Sequence, residues 1–293
     1  MTTEVSNPFL RPLASQRYCQ AFSHIKVLKP KFIIDFGCAE CDFLFYLSKN
    51  PEGLDFSIGV DCSINALNKG KRNISVPGIF YSKTRPYNLF LLNEDVTKLS
   101  DDFIKEYKNS PFVTFLELIE HLDQDELRNF ENEIFSKLQP EVVYLTTPNI
   151  EYNEILTRSF GKDRRFGEFR HVDHKFEFTR SEFREWCNKI CEKYNYSANI
   201  DGVGKTLDGE DDGNHGCGSH SVLFTLKAEK VKTDFKEPEK FVHSHTINVK
   251  IESPDDQILF YNLDDEDNDN YSDDDPEDEN EDIYNEDDEQ TQE

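Results

Sequence analysis

Long apolar runs are missing from this sequence, and none approaches the roughly 20 residues that a membrane-spanning helix needs. Residues 1–17 also lack the charged start and apolar stretch of a signal peptide, so we expect neither an anchor nor a leader. The seven cysteines are odd in number and scattered, which favours reduced thiols in a cytosolic or nuclear compartment over a disulfide framework. Zinc is disfavoured, because Cys38 and Cys41 could be completed only by Cys187 and Cys191, which lie in a helical pattern.

Basic residues are absent from positions 264–293, which hold eighteen of the 59 acidic residues. Like charges at this density repel one another, and the sequence therefore predicts a disordered acidic tail at 264–293. Residues 228–263 are interpreted as a weakly structured linker. The remainder is only mildly acidic and long enough for one large domain. We expect an N-terminal extension at 1–30 and an α/β domain at 31–227.

Apolar runs alternate with helical patterns between residues 32 and 147, which indicates βαβ units and a parallel, doubly wound sheet. The predicted strands are 32–37, 56–61, 88–95, 112–118 and 142–147, and the predicted helices are 43–49, 64–72 and 124–138.

The pattern changes after residue 150. Residues 150–178 are polar, basic and aromatic without a clear period, and they are interpreted as an insertion rather than a core element. A helix is predicted at 181–194 and strands at 197–203 and 221–227. Because only a loop joins these two strands, we expect them to pair antiparallel at one edge of a seven-stranded sheet.

A nucleoside site is predicted where the first strands end. Residues 33–40 form a strand that runs into a tight turn, and Gly37 allows close approach of a ligand. Asp61 ends the next strand, where a carboxylate can accept hydrogen bonds from both ribose hydroxyls, and Asp95 ends the third strand, where a side chain could meet an adenine edge. Ala39 stands where a dinucleotide loop would have a second glycine, which favours a nucleoside without a pyrophosphate.

A metal site is predicted after the fourth strand. Glu117, Glu120 and His121 have the spacing i, i+3, i+4, which places them on one face of a helical turn. Carboxylates with an imidazole suit Mg²⁺ or Mn²⁺, although a solvated acidic helix start would give the same pattern. His171 and His174 offer a further imidazole just before the helix at 181–194, unless they belong to an ordinary basic loop.

Together these segments closely resemble the small-RNA 3′-terminal 2′-O-methyltransferase family, which modifies animal Piwi-interacting RNAs and plant microRNAs. The family's E-x-x-E-H motif is matched by Glu117, Glu120 and His121. Its D-H-x-F-E-W-T-R motif is matched, with Phe178 replacing Trp, by Asp173, His174, Phe176, Glu177, Thr179 and Arg180. Residues 35–41 resemble motif I of class I methyltransferases, D-x-G-C-G-x-G, with Ala39 and Cys41 as departures.

The resemblance implies a Rossmann-like class I methyltransferase fold in which an antiparallel strand completes the sheet. It implies S-adenosylmethionine as the cofactor, bound by Asp35, Gly37, Asp42, Asp61 and Asp95. It also implies Mg²⁺ or Mn²⁺ held by Glu117, Glu120, His121 and His174, with the catalytic residues drawn from His121, His174 and His171.

The implied reaction is methylation of the 2′-hydroxyl of the 3′-terminal nucleotide of a small single-stranded RNA. A Piwi or Argonaute protein holding that RNA is the expected partner. We expect the protein to be a monomer located in the cytoplasm, where perinuclear RNA granules are one expected site. Residues 161–175 could contact RNA through basic and aromatic side chains, namely Lys162, Arg164, Arg165, Arg170 and Lys175 with Phe160, Phe166 and Phe169. The alternatives are a metal-dependent hydrolase or nuclease and a non-catalytic scaffold in RNA silencing.

Overall fold

The computed structural model describes residues 12–49, 53–74, 87–160, 169–204, 214–227, 246–251 and 260–261. The acidic tail predicted at 264–293 lies outside these ranges, as do residues 161–168 of the basic and aromatic segment 161–175. Among the described residues, no helix has the length and apolar character needed to cross a membrane.

One mixed sheet forms the centre of the molecule. Its strands are β1 (Phe32–Phe36), β2 (Phe56–Asp61), β3 (Tyr87–Asn93), β4 (Val113–Leu116), β5 (Val142–Pro148), β6 (Tyr196–Val203), β7 (Ser219–Leu226), β8 (Thr246–Ile251) and β9 (Phe260–Tyr261). Their order across the sheet is β6-β7-β5-β4-β1-β2-β3-β8-β9. Strands β1 to β5 pair parallel, and β7 pairs antiparallel with both β5 and β6. This confirms the predicted doubly wound, mostly parallel sheet with an antiparallel edge.

Helices cover the sheet on both faces. Among the described residues they are α1 (Leu13–Leu28), α2 (Asp42–Lys49), α3 (Ile64–Ile74), α4 (Asp101–Tyr107), α5 (Gln124–Glu131), α6 (Asn153–Phe160) and α7 (Arg180–Tyr194), and a π-helical segment, Asn132–Leu138, continues α5. Strand β1 shows why both faces are needed: all five of its residues are buried, and Ile34 and Ile33 belong to different apolar clusters. Such uninterrupted burial is typical of a central parallel strand.

Strands β8 and β9 correct the interpretation of residues 228–263 as a linker. Strand β8 pairs antiparallel with β3 over six residues, from Tyr87 opposite Ile251 to Leu92 opposite Thr246. Strand β9 then pairs with β8. Within the described ranges the sheet therefore has two strands more than the seven predicted, both on the β3 side.

The interpretation of residues 150–178 as an insertion without core elements also needs correction. Its first part forms a short 3₁₀ turn, Ile150–Tyr152, which continues into α6. Tyr152, Ile155 and Leu156 are buried there, and Leu13 of α1 packs against them. The segment thus contributes a small apolar cluster of its own.

The start of α7 follows from its sequence. The Thr179 hydroxyl accepts a hydrogen bond from the Glu182 backbone N–H, and the Glu182 carboxylate accepts one from the Thr179 backbone N–H. This reciprocal capping box satisfies two backbone donors at a helix start. It therefore fixes where the loop that carries His171 and His174 ends.

Candidate active site

The turn after β1 is held by the end of β2. Gly37, Ala39 and Cys41 all have positive φ angles, of 67°, 45° and 66°. The Asp61 carboxylate accepts hydrogen bonds from the backbone N–H groups of Ala39 at 2.9 Å and of Ser63 at 2.8 Å. Asp61 therefore stabilises the turn after β1 by accepting the backbone hydrogen bond from Ala39.

A cavity of about 420 Å³ lies against this turn, at the carboxyl ends of β1, β2, β3 and β4. Three of the five predicted cofactor residues, Gly37, Asp61 and Asp95, line it. Its wall combines apolar and acidic side chains, including Val60, Val96, Leu118, Glu94 and Glu126. A cavity of this size at the carboxyl edge of a doubly wound sheet is the expected position of a nucleoside ligand.

The other two predicted cofactor residues lie outside the lining of this cavity. Asp42 is exposed at the start of α2. Asp35 is buried within β1, where it accepts a hydrogen bond from the Thr114 hydroxyl at 2.6 Å. Burial, opposed by this hydrogen bond, raises the pKa of Asp35 to about 7. Their roles towards a cofactor stay predictions.

The end of β4 places the E-x-x-E-H motif beside the cavity. Glu117 adopts a left-handed backbone conformation with φ of 57°, which is strained for a residue other than glycine. The chain then forms the 3₁₀ turn Ile119–His121. Glu117 and His121 line the cavity, whereas Glu120 is fully buried behind them and accepts a hydrogen bond from the Thr147 hydroxyl.

A ligand-like cluster forms where this turn meets the loop before α7. One ligand atom each of Glu120, His121 and His174 lies within 4.8 Å of the others. Within the described part of the chain, the Oε1 atoms of Glu117 and Glu120 are buried without a hydrogen-bond partner. Unsatisfied carboxylate oxygens beside two imidazoles fit a hard divalent cation.

Glu117 is held on the other side of this cluster. Its Oε2 accepts hydrogen bonds from Arg17 Nη1 of α1 at 3.1 Å and from the Ser219 hydroxyl of β7 at 3.2 Å. Burial first, and the neighbouring Glu117 carboxylate second, raise the pKa of Glu120 well above its usual range. The structure thus brings three of the four predicted ligands within 4.8 Å and leaves Glu117 paired with Arg17.

The two histidines of the cluster differ in their surroundings. Burial and the nearby His174 lower the pKa of His121, which favours its neutral, ligating form. His174 Nδ1 lies 2.6 Å from Glu177 Oε1. The backbone N–H of Arg170 and the side-chain amide of Asn153 also donate to Glu177, and with His174 they lower its pKa although burial opposes them.

Two predicted residues lie outside the cluster. His171 is exposed beside Asp173 and lies outside the cluster, although its ring centroid is 5.7 Å from that of His174. Arg170 was predicted to contact RNA, but its guanidinium donates inward to the Asn153 side chain and to the carbonyls of Asn149 and Gly218. Lys162, Arg164 and Arg165 lie outside the described residues.

Sequence reasoning missed the contribution of Asn153 and Thr147 to this site. Thr147 lies in β5, and the segment Thr147-Pro148-Asn149 also fits the resemblance to the family, which was the available signal. Asn153 gave no signal, because its contact with Glu177 joins residues 24 positions apart. All seven cysteines are free thiols, and Cys187 is buried in α7.

No family model matches the sequence. A small RNA 2′-O-methyltransferase from Xenopus tropicalis is 32% identical over 218 residues, which are 74% of this chain and 56% of that protein. The structure of the methyltransferase domain of a bacterial Hen1, CtHen1-C, is 30% identical, with a TM-score of 0.56, and is covered completely by 74% of this chain. The chain belongs to the small RNA 2′-O-methyltransferase family.

The family assignment agrees with the site. The crystal structure of small RNA methyltransferase HEN1 matches 80% of this chain with a TM-score of 0.63 and 29% identity, although the match covers 29% of that protein. The chain spans about half the length of curated animal members of the family, including those from Xenopus and Drosophila melanogaster. The solved structure that the chain covers completely, that of CtHen1-C, is a methyltransferase domain.

Proposed function

We propose that this chain transfers a methyl group from S-adenosylmethionine to the 2′-hydroxyl at the 3′ end of a small single-stranded RNA, with the help of Mg²⁺ or Mn²⁺. One observation carries the proposal. His121 belongs to the ligand-like cluster and also lines the cavity at the carboxyl ends of the strands. A methyl donor in the cavity and a ribose at the cluster would therefore be neighbours, as methyl transfer requires.

The cavity residues suit the cofactor. The Asp61 carboxylate can accept hydrogen bonds from both hydroxyls of the cofactor's ribose, while Asp95 lies on the adenine side. The apolar side chains of Val60, Val96 and Leu118 can pack against the nucleoside. The surrounding carboxylates favour a cationic sulfonium over the neutral thioether that remains after transfer.

The cluster suits a divalent cation. A bound Mg²⁺ or Mn²⁺ would supply a Lewis acid that holds the two vicinal hydroxyls of the terminal ribose and lowers the pKa of the attacking one. Glu120, His121 and His174 would hold it, with Glu117 as the fourth ligand through its unpaired Oε1. We assign to the exposed His171, which lies beside His174 but outside the cluster, the acceptance of the 2′-hydroxyl proton.

The two-hydroxyl requirement defines the substrate. An internal nucleotide has its 3′ oxygen blocked by phosphate, and DNA lacks the 2′-hydroxyl, so only an RNA 3′ end offers both groups. We propose a small RNA held by a Piwi or Argonaute protein as the natural substrate. The cytoplasmic location and the monomeric state expected from the sequence stay predictions.

Mass spectrometry of the terminal nucleoside tests the proposal. A short RNA incubated with the protein, S-adenosylmethionine and Mn²⁺ should gain one methyl on its last ribose, and the same RNA with a 3′-phosphate or a 3′-terminal deoxynucleotide should gain none. Shortening of the RNA without the cofactor would favour a hydrolase instead. Methylation of the 3′-phosphorylated RNA would contradict the two-hydroxyl geometry.

A further inference from the structure

Three nitrogen atoms lie within hydrogen-bond distance of the carboxylate of Glu177. Its Oε1 lies 2.6 Å from both the Arg170 backbone nitrogen and Nδ1 of His174, and its Oε2 lies 2.6 Å from the Asn153 side-chain amide. The Glu177 side chain is fully buried, and that of His174 is 8% exposed. These contacts are therefore sheltered from competition by water.

Asn153 is itself held in one orientation. Arg170 Nε donates to Asn153 Oδ1 at 3.0 Å, so that the Asn153 amide nitrogen must face Glu177. The Arg170 guanidinium is in turn anchored on the carbonyl of Gly218 at 2.6 Å. The hydrogen bonds that run from Arg170 through Asn153 to Glu177 thus have one direction of donation, and they end at the acceptor-only carboxylate of Glu177.

This direction determines the tautomer of His174. An ionised carboxylate can only accept hydrogen bonds, so the 2.6 Å contact requires a proton on His174 Nδ1. A neutral imidazole with Nδ1–H has its free lone pair on Nε2, which is then the ligand atom available to the cluster. The opposite tautomer would place a lone pair against the Glu177 carboxylate.

We propose that Glu177 is the positioning residue that fixes His174 as the Nδ1–H tautomer and so presents Nε2 to the metal, with Asn153 and Arg170 holding Glu177 in place. The metal part of this inference rests on the proposed function, whereas the tautomer does not. A carboxylate that orients a ligating histidine also raises its basicity, and loss of such a partner typically costs about 10–100-fold in metal affinity.

The substitution Glu177→Gln separates this role from simple space filling. Glutamine has nearly the same shape but only one acceptor oxygen, while three donors surround the position. Where the new amide NH₂ takes the position of Oε1, it faces both the Arg170 backbone N–H and Nδ1 of His174, and His174 can escape the conflict by moving its proton to Nε2. Glu185→Gln is the matched control, because Glu185 is an exposed residue of α7.

Nitrogen-15 NMR of histidine-labelled, metal-free full-length protein reads the tautomer directly, with His174→Gln used to assign the signals. We expect the Nδ1–H pattern for His174 in the wild type and in Glu185→Gln, and a shift towards Nε2–H in Glu177→Gln. Calorimetric titration with Mn²⁺ should then give an affinity about 10–100-fold lower for Glu177→Gln only. Asn153→Ala, which keeps the carboxylate, provides a milder variant if Glu177→Gln does not fold.

Two outcomes would overturn the inference. One is an Nε2–H pattern for His174 in the wild type, and the other is an unchanged tautomer and Mn²⁺ affinity in Glu177→Gln. If the wild type bound no Mn²⁺ while its His174 showed the Nδ1–H pattern that Glu177→Gln loses, the metal in the proposed function would fail but the positioning by Glu177 would stand.

Discussion

The Glu120 carboxylate is fully buried, and the Glu117 carboxylate lies close to it. Burial and this neighbour raise the pKa of Glu120, so its ionised form is less favourable in the folded chain than in the unfolded one. Stability without metal therefore falls as the pH rises from the usual range of glutamate through the raised pKa. A bound cation would remove the conflict between the two charges.

We therefore predict that Glu120→Gln raises the melting temperature of the metal-free protein at pH 8 by a few degrees, with little change at pH 5. The same substitution should abolish the stabilisation that Mn²⁺ gives the wild type. Thermal unfolding at both pH values, with and without Mn²⁺, measures these effects. A lower melting temperature of Glu120→Gln at pH 8 without metal would contradict the argument.

Asp61 combines two roles at one carboxylate, because it accepts from the turn at Ala39 and faces the cavity. We predict that Asp61→Ala weakens S-adenosylmethionine binding by on the order of 1.5–3 kcal/mol through the loss of charged hydrogen bonds. Calorimetry measures the affinity. Asp102→Ala, at an exposed position of α4 outside the cavity lining, should cost much less, and an equal loss in both variants would show that the cavity is not the cofactor site.

The sequence was informative about site residues where neighbours in the chain act together. Glu120 and His121 are adjacent, and their cluster with His174 follows from two motifs. Arg170 was misjudged because its charge suggested an RNA contact, whereas its partners are backbone carbonyls of Asn149 and Gly218. Contacts between residues so far apart in the chain cannot be predicted from the local sequence pattern.

At the scale of elements, the turn after β1 depends on Gly37 for two reasons. Its φ of 67° is unfavourable for other residues, and a Cβ atom there would lie 2.1 Å from Leu118 Cδ1. Gly53 has a φ of 85° but nothing within 4 Å of the corresponding position. A substitution at Gly53 therefore introduces only backbone strain, whereas one at Gly37 introduces both backbone strain and a steric clash.

We predict that Gly53→Ala costs roughly 1–2 kcal/mol in the free energy of unfolding, the usual penalty for a left-handed residue. Gly37→Ala should cost more, because the displaced Leu118 lines the cavity, and it should also weaken cofactor binding. Chemical denaturation and calorimetry give both quantities. Equal costs in the two variants, with cofactor affinity preserved, would show that the turn adapts without moving Leu118.

Elements with a strong apolar pattern were predicted correctly, and those with a weak one were not. Strand β1 reads as an unbroken apolar run because helices cover both its faces. Helix α4 was missed because it spans only Asp101–Tyr107, and α6 because only a small cluster buries it. Strand β8 offered an alternation of Ile247, Val249 and Ile251, but polar sequence surrounds it and its pairing partner is remote.

At the scale of the whole molecule, the C-terminal part of the chain contains two different segments, an acidic tail at 264–293 and the strand β8 that pairs with β3. Residues 264–293 hold eighteen acidic residues and no basic one, so they would repel RNA and have little to bury. The preceding part includes β8, whose backbone covers the edge of β3 over six residues. Unpaired strand edges expose backbone donors and acceptors and promote aggregation.

We therefore predict opposite results for two truncations. A chain that ends at Leu263 should melt within about 2 °C of the full chain and keep its methyl transfer, and it should bind RNA slightly more tightly at low salt, where charge repulsion is least screened. A chain that ends at Lys227 loses β8, and with it six cross-strand pairs worth roughly 0.2–1 kcal/mol each. It should melt several degrees lower and aggregate at high concentration.

Circular dichroism, light scattering and terminal-nucleoside analysis distinguish the two chains. If the chain that ends at Leu263 lost methyl transfer while its melting temperature stayed unchanged, the acidic tail would have a role in the reaction. If both truncated chains were equally stable, β8 would not protect the edge of the sheet.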